Sequence, residues 1–221
     1  MPSPHPAAIA FLAPGLVHQF GNLLLTIQGH ALQLDRPPAA GLGRAQQAIL
    51  QASDRGGVSL RILRILLGEP GELQAPAAQL LEMFGELARV PVREAGHRLD
   101  LLGDSAAGYQ ITANEFFPNV TAAVLEVLAA VPHGVRGRLH IELAGARGCV
   151  DADIRFVTEA GNLPFPLQLG GRVAALAASL RDRGDRTVVR ELGDGLRLVF
   201  ASLPMATEAC GDLHASLPDS T

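Results

Sequence analysis

The 221 residues contain no lysine and no tryptophan, one tyrosine and two cysteines. All 18 basic side chains are therefore arginines, and 22 carboxylates outnumber them to give a net charge of −4. With a pI near 6.0 there is no surplus of cations to neutralise a phosphate backbone, which excludes nucleic-acid binding as a main activity. Cys149 and Cys210 alone can supply neither a disulfide framework nor a four-thiolate zinc site, so a reducing compartment is expected. The N-terminal Met-Pro-Ser-Pro-His-Pro lacks the positive charge of a secretory signal. The longest apolar runs, such as Thr121 to Pro132, are about half of the roughly 20 residues that span a bilayer. These absences lead to the expectation of a cytoplasmic protein that makes no membrane contact. With only 17 residues ahead of His18, a short, complete chain without a sensor segment is expected.

What is present is aliphatic. Hydrophobic residues are 48% of the chain and aromatics 4%, so the whole is not disordered and its core has to be built from Leu, Ala and Val. From Ala7 to Leu34, apolar residues recur every three or four positions (Leu12, Leu16, Phe20, Leu23, Ile27, Leu34), which predicts a helix. Arg36-Pro37-Pro38 stops it, because proline lacks a donor and clashes with the preceding turn. Leu42 to Leu67 predicts a second helix, interrupted at Gly56-Gly57. Two such helices joined by a short loop form a hairpin, and a lone hairpin cannot bury both apolar stripes. Pairing of two hairpins into a dimeric four-helix bundle is therefore expected.

Beyond residue 69 the pattern changes. Helices are expected at Ala75–Arg89, Asn114–Ala130 and Leu169–Arg183. Strands are expected at Arg98–Leu102, Tyr109–Thr112, Arg138–Ala144, Cys149–Thr158, Thr187–Leu192 and Leu196–Ser202. The fold class is thus α+β: a helical hairpin over 1–69, an α/β sandwich over 70–204, and a polar tail over 205–221.

One string stands out: Leu12-Ala13-Pro14-Gly15-Leu16-Val17-His18-Gln19-Phe20-Gly21-Asn22-Leu23-Leu24-Leu25-Thr26-Ile27. At about 100° per residue, the core-facing Leu16, Phe20, Leu23 and Ile27 lie on the side opposite His18. Asn22 and Leu25 share the exposed face with His18. A lone surface histidine carries no role by itself; here the surrounding string does.

That string resembles the phosphoacceptor box of two-component sensor histidine kinases, with His18-Gln19-Phe20-Gly21-Asn22-Leu23-Leu24 as the match. The order and length of the remaining elements are similar to that family's dimerisation hairpin and Bergerat-type ATP-binding domain. The resemblance implies that a ring nitrogen of His18 takes the phosphoryl group and that Asn22 orients water for dephosphorylation of the partner. Gln19 and Leu25 are expected to touch that partner. The family's acid after the histidine serves as a base in autophosphorylation; Gln19 cannot accept a proton.

The ATP-site motifs depart further. The family's asparagine-bearing helix corresponds to Asn114–Val131, where Asn119 fits the pattern poorly and Glu126 is the polar group at its middle. The adenine-reading motif is reduced to Thr158-Glu159-Ala160-Gly161-Asn162, and the glycine-rich lid to Gly170-Gly171. No nucleotide cofactor is expected, since metal ligands, adenine partner and phosphate loop are needed together. His30, His97 and His140 read as structural, Asp151 and Asp153 as a solvated edge, and Ser53-Asp54-Arg55 as a polar face near the partner side.

The resulting expectation is closest to a standalone histidine phosphotransferase. It would be a homodimer that relays phosphoryl groups between response-regulator receiver domains, some belonging to hybrid histidine kinases, with magnesium supplied on the receiver. Two alternatives stay open: a non-catalytic dimeric interaction module, and an active kinase with a divergent ATP pocket.

Overall fold

A computed structural model describes residues 5–34, 42–69, 73–146, 148–159 and 166–204. Helix α1 spans Pro6–Leu34 and α2 spans Leu42–Leu66. Next come β1 (Gln74–Pro76), α3 (Ala77–Glu94), β2 (Arg98–Leu102), β3 (Tyr109–Thr112) and α4 (Ala113–Ala130). The chain continues with β4 (Gly137–Ala146), β5 (Cys149–Thr158), α5 (Gly170–Asp182), β6 (Val188–Leu192), β7 (Gly195–Ala201) and β8 (Leu203–Pro204).

The main sheet has the order β2-β4-β5-β7-β6, with β2 parallel to β4 and the other pairs antiparallel. Its inner face follows strand alternation: Leu139, Ile141 and Leu143, then Val150, Ala152, Ile154 and Phe156, then Leu196, Leu198 and Phe200 are all buried. α3 and α4 cover that face. Phe116 sits at the centre, edge-on to Phe84 and Phe117 at 6.4 and 5.6 Å and tilted against Phe200 at 5.7 Å. A second, small antiparallel sheet, β1-β3-β8, lies outside this layer and was not foreseen. Its strands are too short for alternation to show.

The hairpin joins the same hydrophobic cluster. Ala8, Leu12 and Leu16 of α1 and Ile62, Ile65 and Leu66 of α2 are buried together with the α3 and α4 core. The closest approach is at Gly15, where a Cβ would lie 1.8 Å from the Leu87 carbonyl oxygen of α3. Only a glycine lets these two helix backbones come together there.

Several expectations need adjustment. α2 runs unbroken through Gly56-Gly57. Neither glycine is exposed, and packing against α1 offsets their low helix propensity. α1 is, by length and composition, apolar enough over Pro6–Leu32 to cross a membrane. Counting unbroken apolar runs missed this because Pro14, Gly15, His18, Gln19 and Gly21 interrupt them. Asp153 is not on an edge: β5 lies between β4 and β7, and Asp153 is 7% exposed. Burial alone would raise its pKa, but hydrogen bonds from Arg197 (2.5 and 2.8 Å) and Arg155 (2.7 Å) outweigh that and hold its carboxyl below the usual range. Arg36-Pro37-Pro38, expected to stop the first helix, and residues 205–221 lie outside the described residues.

Substitution of Gly15 by Ala should force α1 away from α3 and lower stability by about 1–3 kcal/mol in urea unfolding. An unchanged midpoint would contradict the close contact.

Candidate functional site

His18 lies midway along α1 with its side chain exposed, and Asn22 follows one turn later on the same face. The Asn22 Nδ2 is 3.2 Å from the His18 Nε2, so amide and ring form a pair at the surface. Thr26, a further turn on, donates its hydroxyl to the Asn22 carbonyl at 2.8 Å. Leu25 is 68% exposed beside them. The helical spacing seen in the sequence thus brings His18, Asn22 and Leu25 to one face.

Gln19 is in a different position. It is half-buried where three helices meet, and both ends of its amide are used. Its Oε1 accepts from the hydroxyl of buried Ser59 on α2 at 2.9 Å, and its Nε2 donates to a Glu86 carboxylate oxygen on α3 at 2.8 Å. A carboxylate at residue 19 would meet Glu86 charge to charge. Amide chemistry, with a donor and an acceptor on one planar group, is what this junction needs.

Between α1, α2, the end of α3 and the start of β2 lies a cleft of about 660 Å³. His18 and Asn22 line one wall, and Arg55, Arg89, Arg93 and Arg98 contribute to the others. α3 closes with Gly96 in the left-handed region (φ +85°), where the Gly96 and His97 amides donate back to the Arg93 and Val92 carbonyls. This turn sends the chain straight into β2, so Arg93, His97 and Arg98 all reach the same cleft. His97 packs edge-on against Phe156 at 5.1 Å with its Nδ1 buried and unpartnered. Desolvation lowers its pKa against the opposing pull of Glu159, which favours the neutral ring.

The arginine wall was not visible in the sequence. Arg55 was noted only as part of a polar face, Arg89 and Arg98 only as the bounds of a helix and a strand, and Arg93 not at all. The available signal was the helical spacing of Glu86, Arg89 and Arg93, which puts all three on one side of α3.

The residues matched to a nucleotide site are otherwise engaged. Asn119 is 1% exposed, and its amide donates to Asp185 at 2.6 Å and Thr187 at 3.0 Å. Glu126 is bridged by Arg172 of α5 at 3.0 Å. Gly170 and Gly171 form the first turn of α5, and Ala160, Gly161 and Asn162 lie outside the described residues. His140 sits within β4 opposite Arg155. Among the described residues no cluster of three His, Cys, Asp or Glu side chains has metal-binding geometry.

No protein-family model and no curated protein matches the chain. Solved structures do. The catalytic domain of histidine kinase ThkA aligns at 12% identity and TM-score 0.43, covering 61% of this chain and 96% of that one. The histidine kinase AdeS of Acinetobacter baumannii aligns at 12% identity and TM-score 0.40, covering 86% of this chain and 98% of its own. A bacterial phosphotransferase aligns at 13% identity and TM-score 0.36, covering 89% of this chain and 95% of its own. At such scores the likeness carries no argument about the site.

Proposed function

We propose that the protein is a histidine phosphotransfer module of a two-component relay, with His18 as phosphoacceptor. The observation that carries this reading is the exposed His18–Asn22 pair, set within the phosphoacceptor-like string and lining a cleft walled by arginines. A neutral imidazole is a competent nucleophile for phosphorus near pH 7. In loading, a His18 ring nitrogen forms a bond to phosphorus while the bond from phosphorus to an aspartyl carboxylate oxygen of a receiver domain breaks. The carboxylate leaves with the electron pair. Unloading is the same exchange in reverse, onto the aspartate of a second receiver. Magnesium bound on the receiver would supply charge neutralisation for the phosphoryl group. Neither direction requires a base at residue 19. Leu25 is available to a docked receiver, whereas Gln19 would support the docking face from beneath.

Phosphoryl supply from a partner, not from a bound nucleotide, is favoured by how Asn119 and Glu126 are used. Their polar groups are committed to Asp185, Thr187 and Arg172. A homodimer is favoured by the apolar side chains left uncovered on both hairpin helices: Val17 and Leu24 on α1, and Leu50 and Leu60 on α2. Covering a leucine from water contributes about 1.5–3 kcal/mol, so a stripe of them is a strong drive to pair. The reading places the protein in the cytoplasm, where receiver domains and hybrid kinases would meet it.

The test is acid-labile labelling of wild type and His18→Ala by labelled ATP and, separately, by a panel of labelled phospho-receiver domains from the same genome. Label from a receiver alone, lost in His18→Ala, is expected. Label from ATP would revive the kinase, and no label from either would favour a non-catalytic module. Because His18 is exposed, the alanine variant should keep its stability within about 0.5 kcal/mol. Leu24→Arg combined with Leu60→Arg should give monomers by sedimentation; an unchanged dimer mass would contradict the proposed pairing face.

A further inference from the structure

The cleft in front of His18 holds four guanidinium groups from three elements: Arg55 on α2, Arg89 and Arg93 on α3, and Arg98 on β2. Arg55, Arg89 and Arg93 have no carboxylate within ion-pair distance among the described residues, and Arg98 has only a loose contact to Glu159 at 3.9 Å. Two carboxylates share the cleft. Glu86 is occupied by the Gln19 amide, and Asp100 faces Arg138 at 3.7 Å. Four cations against two anions leave two positive charges uncompensated. In a chain of net charge −4 such a gathering is out of keeping with the rest. Helix-dipole stabilisation accounts for Arg93 in the last turn of α3, but not for Arg55 or Arg98, which belong to other elements.

Guanidinium is the side chain best matched to phosphoryl oxygens, since its planar donors pair with them in forks. A phosphoryl group on a side chain carries about −1.5 to −2 charge at pH 7 and three acceptor oxygens, which fits the surplus of two. The cleft, at about 660 Å³, has room for that group and water. We propose that this cleft is a phosphoryl seat, in which Arg55, Arg89, Arg93 and Arg98 close on the group carried by His18 and store it between donor and acceptor. The proposal rests on His18 being the phosphoacceptor, and it adds where the group goes once it is there. Held in this way, the phosphohistidine is stabilised against water and the transfer equilibrium moves toward the loaded protein.

The experiment uses the full chain as wild type, Arg89→Gln/Arg93→Gln, and Arg44→Gln as a control on α2 outside the cleft. Each is loaded with phosphoramidate, whose P–N bond breaks and releases ammonia as the His18 N–P bond forms. Phosphorus NMR then follows the half-life and protonation of the phosphoryl group. Wild type and Arg44→Gln should keep the group at least about tenfold longer than the double variant, and keep it dianionic to lower pH. Equal half-lives and equal titration in all three would overturn the seat. In a second arm, inorganic phosphate is titrated into the unloaded proteins. Saturable binding at least about tenfold weaker in the double variant supports the seat, and absence of saturable binding to wild type overturns it. Wild type that binds phosphate in an arginine-dependent way but takes none from phosphoramidate would support the seat for the free anion. The failure would then lie with the phosphotransfer reading of His18.

Discussion

The arrangement depends on the docking of α1 against α3. Gly15 lets the α1 backbone lie directly on the Leu87 carbonyl, and one turn later Gln19 ties Ser59 of α2 to Glu86 of α3. Those contacts decide which way α1 is rotated. With Leu12 and Leu16 turned into the shared core, His18 has to face out, and the end of α3 has to stand opposite it. A mobile connection between hairpin and sandwich would leave His18 on a bare helix. The docked connection gives it a walled cleft.

The same contacts give residue 19 a structural task in place of a chemical one. An acid there could act as a base toward the neighbouring histidine, but it would also repel Glu86 and lose the donor that Glu86 uses. A glutamine satisfies Ser59 and Glu86 together, and an unmet partner at such a junction would cost about 1–3 kcal/mol. The absence of an acid at residue 19 and the fixation of the sandwich on the hairpin are thus two consequences of one residue.

Much of this was legible beforehand because it is local. Helical periodicity gave α1 and α2, alternation gave β4, β5 and β7, and the spacing of His18 and Asn22 gave their shared face. What was hidden involves residues distant in sequence. Gln19 and Glu86 are 67 positions apart, and Arg55, Arg89 and Arg98 converge because α3 packs on the hairpin and the turn at Gly96 then sends the chain into β2 beside it. Asp153 looked solvated beside Arg155, since nothing in its own strand shows that Arg197 comes from β7 to meet it. β1 and β8 were missed because three or two residues carry no period, and Pro76 lies in one of them.

Hairpin and sandwich form one body that holds His18 against the cleft. The most direct test of this is a distance measurement between spin labels on exposed Gln28 of α1 and Asp104 beyond β2, with Cys149 and Cys210 replaced by serine and the labelled chain diluted into unlabelled protein. A single narrow distance distribution is predicted. A broad distribution, spread by a sandwich that swings on its hairpin, would contradict the account.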